Sequence, residues 1–215
     1  MNEGLSGKIP GAALGSPRPG ESLRDQQKAL TRHRIIRAAR GCFLSGEIAG
    51  VSFDDIARRA GVSRATVYLH FPRKEALLFG MLQQDGAAQA DLFAALPQRA
   101  RAPADFAHWL ERMVAAYRAR RESMGLYALV LGQDPSIADA LEGQRRILLR
   151  ILGERFAAFD LGGEPPAAKR VAAYLMLVQI EQFCLMSMSE DWNDLVDIGI
   201  DLLANRLASF VKNDK

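Results

Sequence analysis

Ser52-Phe-Asp-Asp-Ile-Ala-Arg-Arg-Ala-Gly-Val-Ser-Arg-Ala-Thr-Val-Tyr-Leu-His-Phe71 constrains this chain more than any other stretch. Phe53, Ile56, Ala57 and Ala60 recur at helical spacing, and Gly61 then interrupts the run where a residue with positive φ is free of strain. Ser52 with Asp55 three residues later forms an S-x-x-D capping pattern, which also suits the positive end of the helix dipole. Ser63 caps a second short helix whose Val67 and Phe71 point inward. Ala57, small and four residues before the glycine, lets the two helices approach closely. The stretch is therefore predicted to be a helix-turn-helix, and its function to be DNA binding.

Arg64, Ala65, Thr66, Tyr68 and His70 are left facing outward on the second helix. Arg64, Ala65 and Thr66, at its start, are expected at base edges, Arg64 at a guanine and Ala65 or Thr66 near a thymine methyl. Tyr68 and His70 are expected at the sugar-phosphate backbone. Ser52, Ser63 and Lys74, at helix starts, complete the candidate DNA face, since amide groups and dipole there favour a phosphate. Upstream, Ile35, Ile36, Ala39 and Phe43 make an amphipathic supporting helix within Arg32–Phe43. Downstream, Pro72 suits the first turn of another helix.

This block resembles the N-terminal domain of the tetracycline-repressor-like (TetR) family of transcriptional regulators. The resemblance rests on the Phe43 end of the first helix, Ser-Phe-Asp-Asp-Ile-Ala, Ala-Gly-Val-Ser, Thr-Val-Tyr-Leu-His-Phe and the Lys74-Glu75 pair, in order and at the right spacing. It covers residues 28 to about 80. Arg64-Ala65 departs from it, because the family often has a small residue before the threonine. The resemblance implies a homodimeric regulator, most simply a repressor on a palindromic double-stranded DNA operator, released by a small-molecule effector and working in the cytoplasm. An activator, or a regulator that answers no ligand, is the variant reading.

Charge follows the same division. Residues 1–80 hold 13 Lys/Arg against 7 Asp/Glu, whereas residues 81–215 hold 15 against 18. The positive half carries the motif, as phosphate neutralisation requires. The first 25 residues are rich in Gly and Pro and are expected to be a disordered, solvated tail; a basic arm in which Lys8, Arg18 and Arg24 lend weak phosphate contacts is the alternative. Residues 26–75 are then the DNA-binding domain and 76–215 a ligand-binding and dimerisation domain.

The remainder is helical, so the fold class is all-α: a three-helix helix-turn-helix domain followed by a larger helical one. Breaks at Pro97, Gly132, Pro135 and Gly162-Gly163 separate helices over about 72–96, 104–121, 123–131, 136–159, 167–187 and 194–211. The 167–187 helix is apolar all round and must be covered on both faces, yet Gln179, Glu181 and Gln182 interrupt it too often for a membrane span. With the stripe of the last helix it makes a candidate four-helix dimer interface, represented by Tyr174, Val178, Leu195, Ile198 and Leu202. Trp109, Met113, Tyr117, Tyr127 and Phe183, with Gln179 as a polar contact, are the candidate lining of an effector site for a hydrophobic or aromatic compound with one polar end.

No cofactor is expected. His33, His70 and His108 lack partners at metal-ligand spacing, so no metal site is expected either. Cys42 and Cys184 suit reduced core thiols. An all-helical enzyme or interaction protein is the competing class, but no nucleophile–base pair or cofactor loop accompanies the lone His108.

Overall fold

Ser22 opens the first helix by accepting the backbone N–H of Asp25 on its side chain. From there the computed structural model describes residues 22–45, 50–121, 124 and 135–212. The helices are α1 (Leu23–Leu44), α2 (Phe53–Ala60), α3 (Arg64–His70), α4 (Lys74–Ala94), α5 (Pro103–Arg118), α6 (Pro135–Gly153), α7 (Ala167–Met186) and α8 (Val196–Lys212). Short 3-10 turns occupy Ala157–Phe159 and Glu190–Leu195. No strand occurs among the described residues, and the all-α architecture stands.

Several boundaries differ from those the periodicity predicts. α4 begins at Lys74 and not at Pro72, because Arg73 is extended (φ −151°, ψ 164°) and acts as the cap. α6 ends at Gly153, and the chain closes with a 3-10 turn where a helix to Phe159 was expected. α1 starts at Leu23, inside the segment expected to be leader. Of the helix expected over 123–131 only Met124 is described, so that helix, and Tyr127 with it, lies outside the described residues, as do residues 1–21.

Two apolar clusters organise the packing. In the first, Ile35, Ile36 and Phe43 of α1 meet Ile56 of α2, Val67 of α3, Phe71 and the start of α4 at Leu77 and Met81. In the second, Phe93 of α4 joins Phe106, Trp109, Leu110 and Met113 of α5, Leu148 of α6, Phe159, Leu177 and Ile180 of α7, and Leu207 of α8. α4 thus contributes its first turns to one core and its last turns to the other. Burying a side chain of this size stabilises by ~1.5–3 kcal/mol, so both ends of α4 are firmly seated.

Polar contacts fix the middle of α4. Arg40 of α1 grips Asp85 through two parallel hydrogen bonds of 3.0 and 2.9 Å. Asp85 is only 8% exposed, so the fork binds a side chain that solvent barely reaches. On the opposite side, Gln144 of α6 donates to the Gly86 carbonyl at 2.7 Å. Arg155 closes the far end by donating to the carbonyls of Ala94 and Leu96 at 3.0 and 3.3 Å. Where α8 crosses α7, Gly199 lies against the Phe183 ring, which leaves no room for a Cβ. No helix of the described residues is long and apolar enough to cross a membrane.

Candidate nucleic-acid interface

The helix-turn-helix is built as its capping residues dictate. The Ser52 side chain accepts the Asp55 N–H at 3.2 Å, while the Asp55 carboxylate accepts the Ser52 N–H at 3.1 Å and the Ser52 hydroxyl at 2.6 Å. These bonds hold the Asp55 carboxyl below its ordinary range, the Ser52 hydroxyl contributing most. Asp55 also pairs with Arg58 on the next turn. At the other end Gly61 adopts φ 64°, ψ 40°, the left-handed conformation expected of a helix C′ residue. Arg34 of α1 reaches across to donate to the carbonyls of Ala60 and Gly61 at 2.7 and 3.1 Å, locking the turn against the supporting helix.

α3 begins at Ser63, whose side chain accepts the Thr66 N–H at 3.0 Å. The two hydroxyls also bond to each other at 2.8 Å. Val67 is fully buried. Arg64, Ala65, Tyr68 and Leu69 form the exposed face, at i, i+1, i+4 and i+5. Thr66 and His70 flank that face and are half-buried.

Arg64 is not loose. Its guanidinium donates to Asp54 at 3.0 Å, reaches the Tyr68 hydroxyl at 3.4 Å and lies over the Tyr68 ring at 5.5 Å. The Tyr68 ring in turn packs on Phe53 with centroids 4.8 Å apart. The side chain is therefore held along the outer surface of α3.

A surface groove of about 390 Å³ lies at the junction of α2, α3 and α4, bringing Ser52, Arg64, Tyr68 and Lys74 together with Asp54 and Arg73. Four of the eight candidate DNA-face residues thus share one depression, although far apart in sequence. Ser63, Ala65 and Thr66 sit along the adjoining face of α3. His70 lies on the far side, in a second groove of about 430 Å³ with Arg32, Arg73 and Glu75. Burial first, and the charges of Lys28 and Arg32 next, hold its imidazole below the usual range, so it is neutral at pH 7.

Sequence reasoning missed three participants. Leu69 is 79% exposed on the outward face of α3, and the i+4/i+5 spacing from Arg64 and Ala65 would have found it. Asp54 and Arg34 act through the turn, and only the folded geometry brings them to their partners.

The effector candidates lie in the second core. Trp109, Met113, Tyr117 and Phe183 are buried. Trp109 donates its indole N–H to the Leu92 carbonyl at 2.8 Å and meets Phe93 edge-on. Gln89 donates to the Tyr117 hydroxyl at 2.5 Å, and burial pushes that hydroxyl's pKa up. Burial likewise pushes the Cys184 thiol up to about 12. The side-chain oxygen of Gln179 is shielded from solvent and has no hydrogen-bond partner among the described residues. His108 is exposed and lies beside Glu111 at 3.4 Å.

The interface candidates divide. Leu195, Ile198 and Leu202 are 46%, 58% and 68% exposed, and on α7 Val171 and Leu175 continue the apolar surface. Tyr174 turns inward, donating to Glu142 at 2.9 Å and accepting from Arg145 at 3.2 Å. Val178 is half-buried between the two environments. Among the described residues no cluster of three metal-ligating side chains occurs.

Residues 35–81 match the family described as bacterial regulatory proteins, tetR family. An uncharacterized HTH-type transcriptional regulator of Mycobacterium tuberculosis is 28% identical over 156 residues, covering 70% of this chain and 79% of the relative. The HTH-type transcriptional regulator EthR of the same organism is 41% identical over 71 residues, 33% of this chain and 32% of that protein. A tetR-family transcriptional regulator from Streptomyces coelicolor shares the fold with a TM-score of 0.62 at 21% identity, over 83% of this chain and 81% of that one.

Proposed function

Since this chain belongs to the TetR family of helix-turn-helix transcriptional regulators, and is a regulator and not an enzyme, we propose that it acts as a homodimeric repressor whose DNA affinity is set by a small-molecule effector. The observation that carries this reading is the groove joining Ser52, Arg64, Tyr68 and Lys74 beside the exposed face of α3. Helix starts and cations there suit phosphates, and Arg64, Ala65 and Thr66 suit base edges. Residues 26–75 form the DNA-binding unit and residues 76–215 the effector-binding and dimerisation unit, and the protein works in the cytoplasm, where its operator is.

Dimerisation is supported by the apolar surface of α7 and α8, and by the physics of recognition. A single α3 offers too few base contacts to specify an operator, so two copies about one DNA turn apart, roughly 34–36 Å, are needed. The effector reading is supported by the soft aromatic core around Trp109, Met113, Tyr117 and Phe183 and by the Gln179 oxygen, which has no hydrogen-bond partner among the described residues. Since α4 is seated in both cores, a ligand that shifts its C-terminal half changes the spacing of the two α3 helices. For the effector to release DNA it must prefer the incompetent state, and a ~100-fold preference corresponds to about 2.7 kcal/mol of coupling.

Two experiments test these readings. Electrophoretic shift with the DNA flanking the protein's own gene, at two salt concentrations, is expected to show a retarded, salt-sensitive complex. No retardation at low salt rejects DNA binding. For the effector, Trp109 is the sole indole left in a Trp192→Phe background. Among hydrophobic compounds that release DNA, an effector at this site perturbs Trp109 emission, and Tyr117→Ala raises the concentration required. Release with neither change places the effector elsewhere.

A further inference from the structure

α1 is longer than its packing requires. All its buried residues, Ile35, Ile36, Ala38, Ala39, Cys42 and Phe43, lie in the second half. The first half buries nothing in the core, and it carries Arg24, Lys28 and Arg32 at i, i+4 and i+8, hence on one face with about 6 Å of rise between neighbours. Like charges at this spacing oppose the helix that bears them by a few tenths of a kcal/mol per pair. Among the described residues none of the three forms an ion pair. Asp25, on the same turn, accepts from Ser22 at 2.6 Å, and Glu75 lines the groove beside Arg32 without an ion pair to it.

The inner end of this row is held in place beside the end of α3. The Arg32 guanidinium lies 5.0 Å from the Phe71 ring centroid and donates to Gln83 at 3.3 Å. It lines the same groove as His70 and Arg73, at the junction of α3 and α4. Lys28 and Arg32 both lie close enough to His70 for their charges to bear on its imidazole. A solvated row of cations needs no such continuity with the end of a recognition helix.

We propose that Lys28 and Arg32, with Arg24 beyond them, form a phosphate track along α1 that extends each subunit's footprint past the groove read by α3. The inference rests on the DNA-binding reading above. Duplex DNA is the occupant it commits to, because the track runs out of a groove already shared by His70 and Arg73. Contacts of this kind carry no base information, so they strengthen operator and random DNA alike.

The test is the salt dependence of duplex binding by the protein, measured by fluorescence anisotropy from roughly 50 to 300 mM salt, on a shifted fragment and on a random duplex. Each cation removed lowers the slope of log K against log [salt] by about 0.9, so Lys28→Gln, lost from two subunits, lowers it by about 1.8. Adding Arg24→Gln lowers it further, with equal proportional loss on both duplexes. Arg112→Gln, on the exposed face of α5, makes the same change in net charge and leaves the slope unaltered. Lys28 and Arg24 are exposed, so their variants keep the fold; Arg32→Gln is secondary because it also loosens Phe71. If the wild-type protein binds and the Lys28 and Arg24 variants move the slope no more than Arg112→Gln, the track is overturned while the DNA-binding reading survives. An acidic protein as occupant would give that same unchanged slope. If the wild-type protein binds no duplex, both readings fall.

Discussion

Arg64 concentrates the specificity question in one side chain. In the free protein it is matched to Asp54 at 3.0 Å and to the Tyr68 ring, so binding exchanges one charge-assisted contact for another and the pre-positioned guanidinium loses little freedom. If it reads a guanine, Arg64→Ala weakens operator binding by roughly 5- to 150-fold and relaxes preference at a single base position. Uniform weakening on every sequence would reassign Arg64 to the backbone. His70 carries a prediction of opposite electrostatic character. Its neighbours are Lys28 and Arg32 on α1, with Arg73 and Glu75 in the same groove. Burial and the α1 cations keep it neutral in the folded protein, so folding gains from a neutral His70 above about pH 6.5 and loses that gain as pH falls. A phosphate alongside reverses the bias, so DNA binding takes up a proton. Operator affinity therefore rises as pH falls from about 7.5 to 6 in the wild type, and this rise is lost in His70→Gln. An unchanged pH profile in that variant contradicts a phosphate contact at His70. Of the other two histidines, His33 bonds to Gln84 and His108 sits on α5 beside Glu111.

Helix by helix, the local signals in the sequence did most of the work where they were chemical. Ser52-x-x-Asp55, Gly61 and Ser63 each name the backbone atoms to satisfy, and each does so in the fold. Ser52→Ala removes the α2 cap and is expected to cost about 0.5–2 kcal/mol in thermal or denaturant unfolding. The loss has a pH signature. The Asp55 carboxyl is depressed chiefly by the Ser52 hydroxyl, so its contribution is present above its ordinary pKa near 4 and disappears as pH falls through the depressed value. Wild type and Ser52→Ala therefore converge in strong acid, and a gap that stays constant with pH would exclude this pairing. Signals based on periodicity were less exact. Pro72 suggested a helix start, but the extended Arg73 delays it to Lys74. The apolar run of α7 announced two covered faces without saying which residue served which. Tyr174 turned to Glu142 and Arg145, partners from α6 that no local pattern could name. Leu69 is assigned inward by default, as an apolar residue in a short amphipathic helix, although its i+4/i+5 spacing from Arg64 and Ala65 sets it on the outer face.

At the scale of the whole molecule, α4 ties the chain together. Its first turns belong to the core under α3, its last to the core around Trp109, and Asp85 and Gly86 between them are held by Arg40 and Gln144. Displacement of one end therefore has a direct mechanical route to the other. That route matters only if two recognition helices are held at a fixed separation, which makes dimeric operator binding the central claim. Leu195, Ile198 and Leu202 make the row where a charge should be least tolerated, since a carboxylate there would be stranded between subunits. The most direct measurement is the stoichiometry and footprint of the wild-type protein and Ile198→Glu on a bound fragment, with sedimentation of each free protein. The account predicts a wild-type dimer protecting two half-sites about one DNA turn, roughly 34–36 Å, apart, and a soluble Ile198→Glu monomer that has lost that protection. A wild-type monomer, or an Ile198→Glu monomer that protects the same palindrome at full affinity, would contradict it.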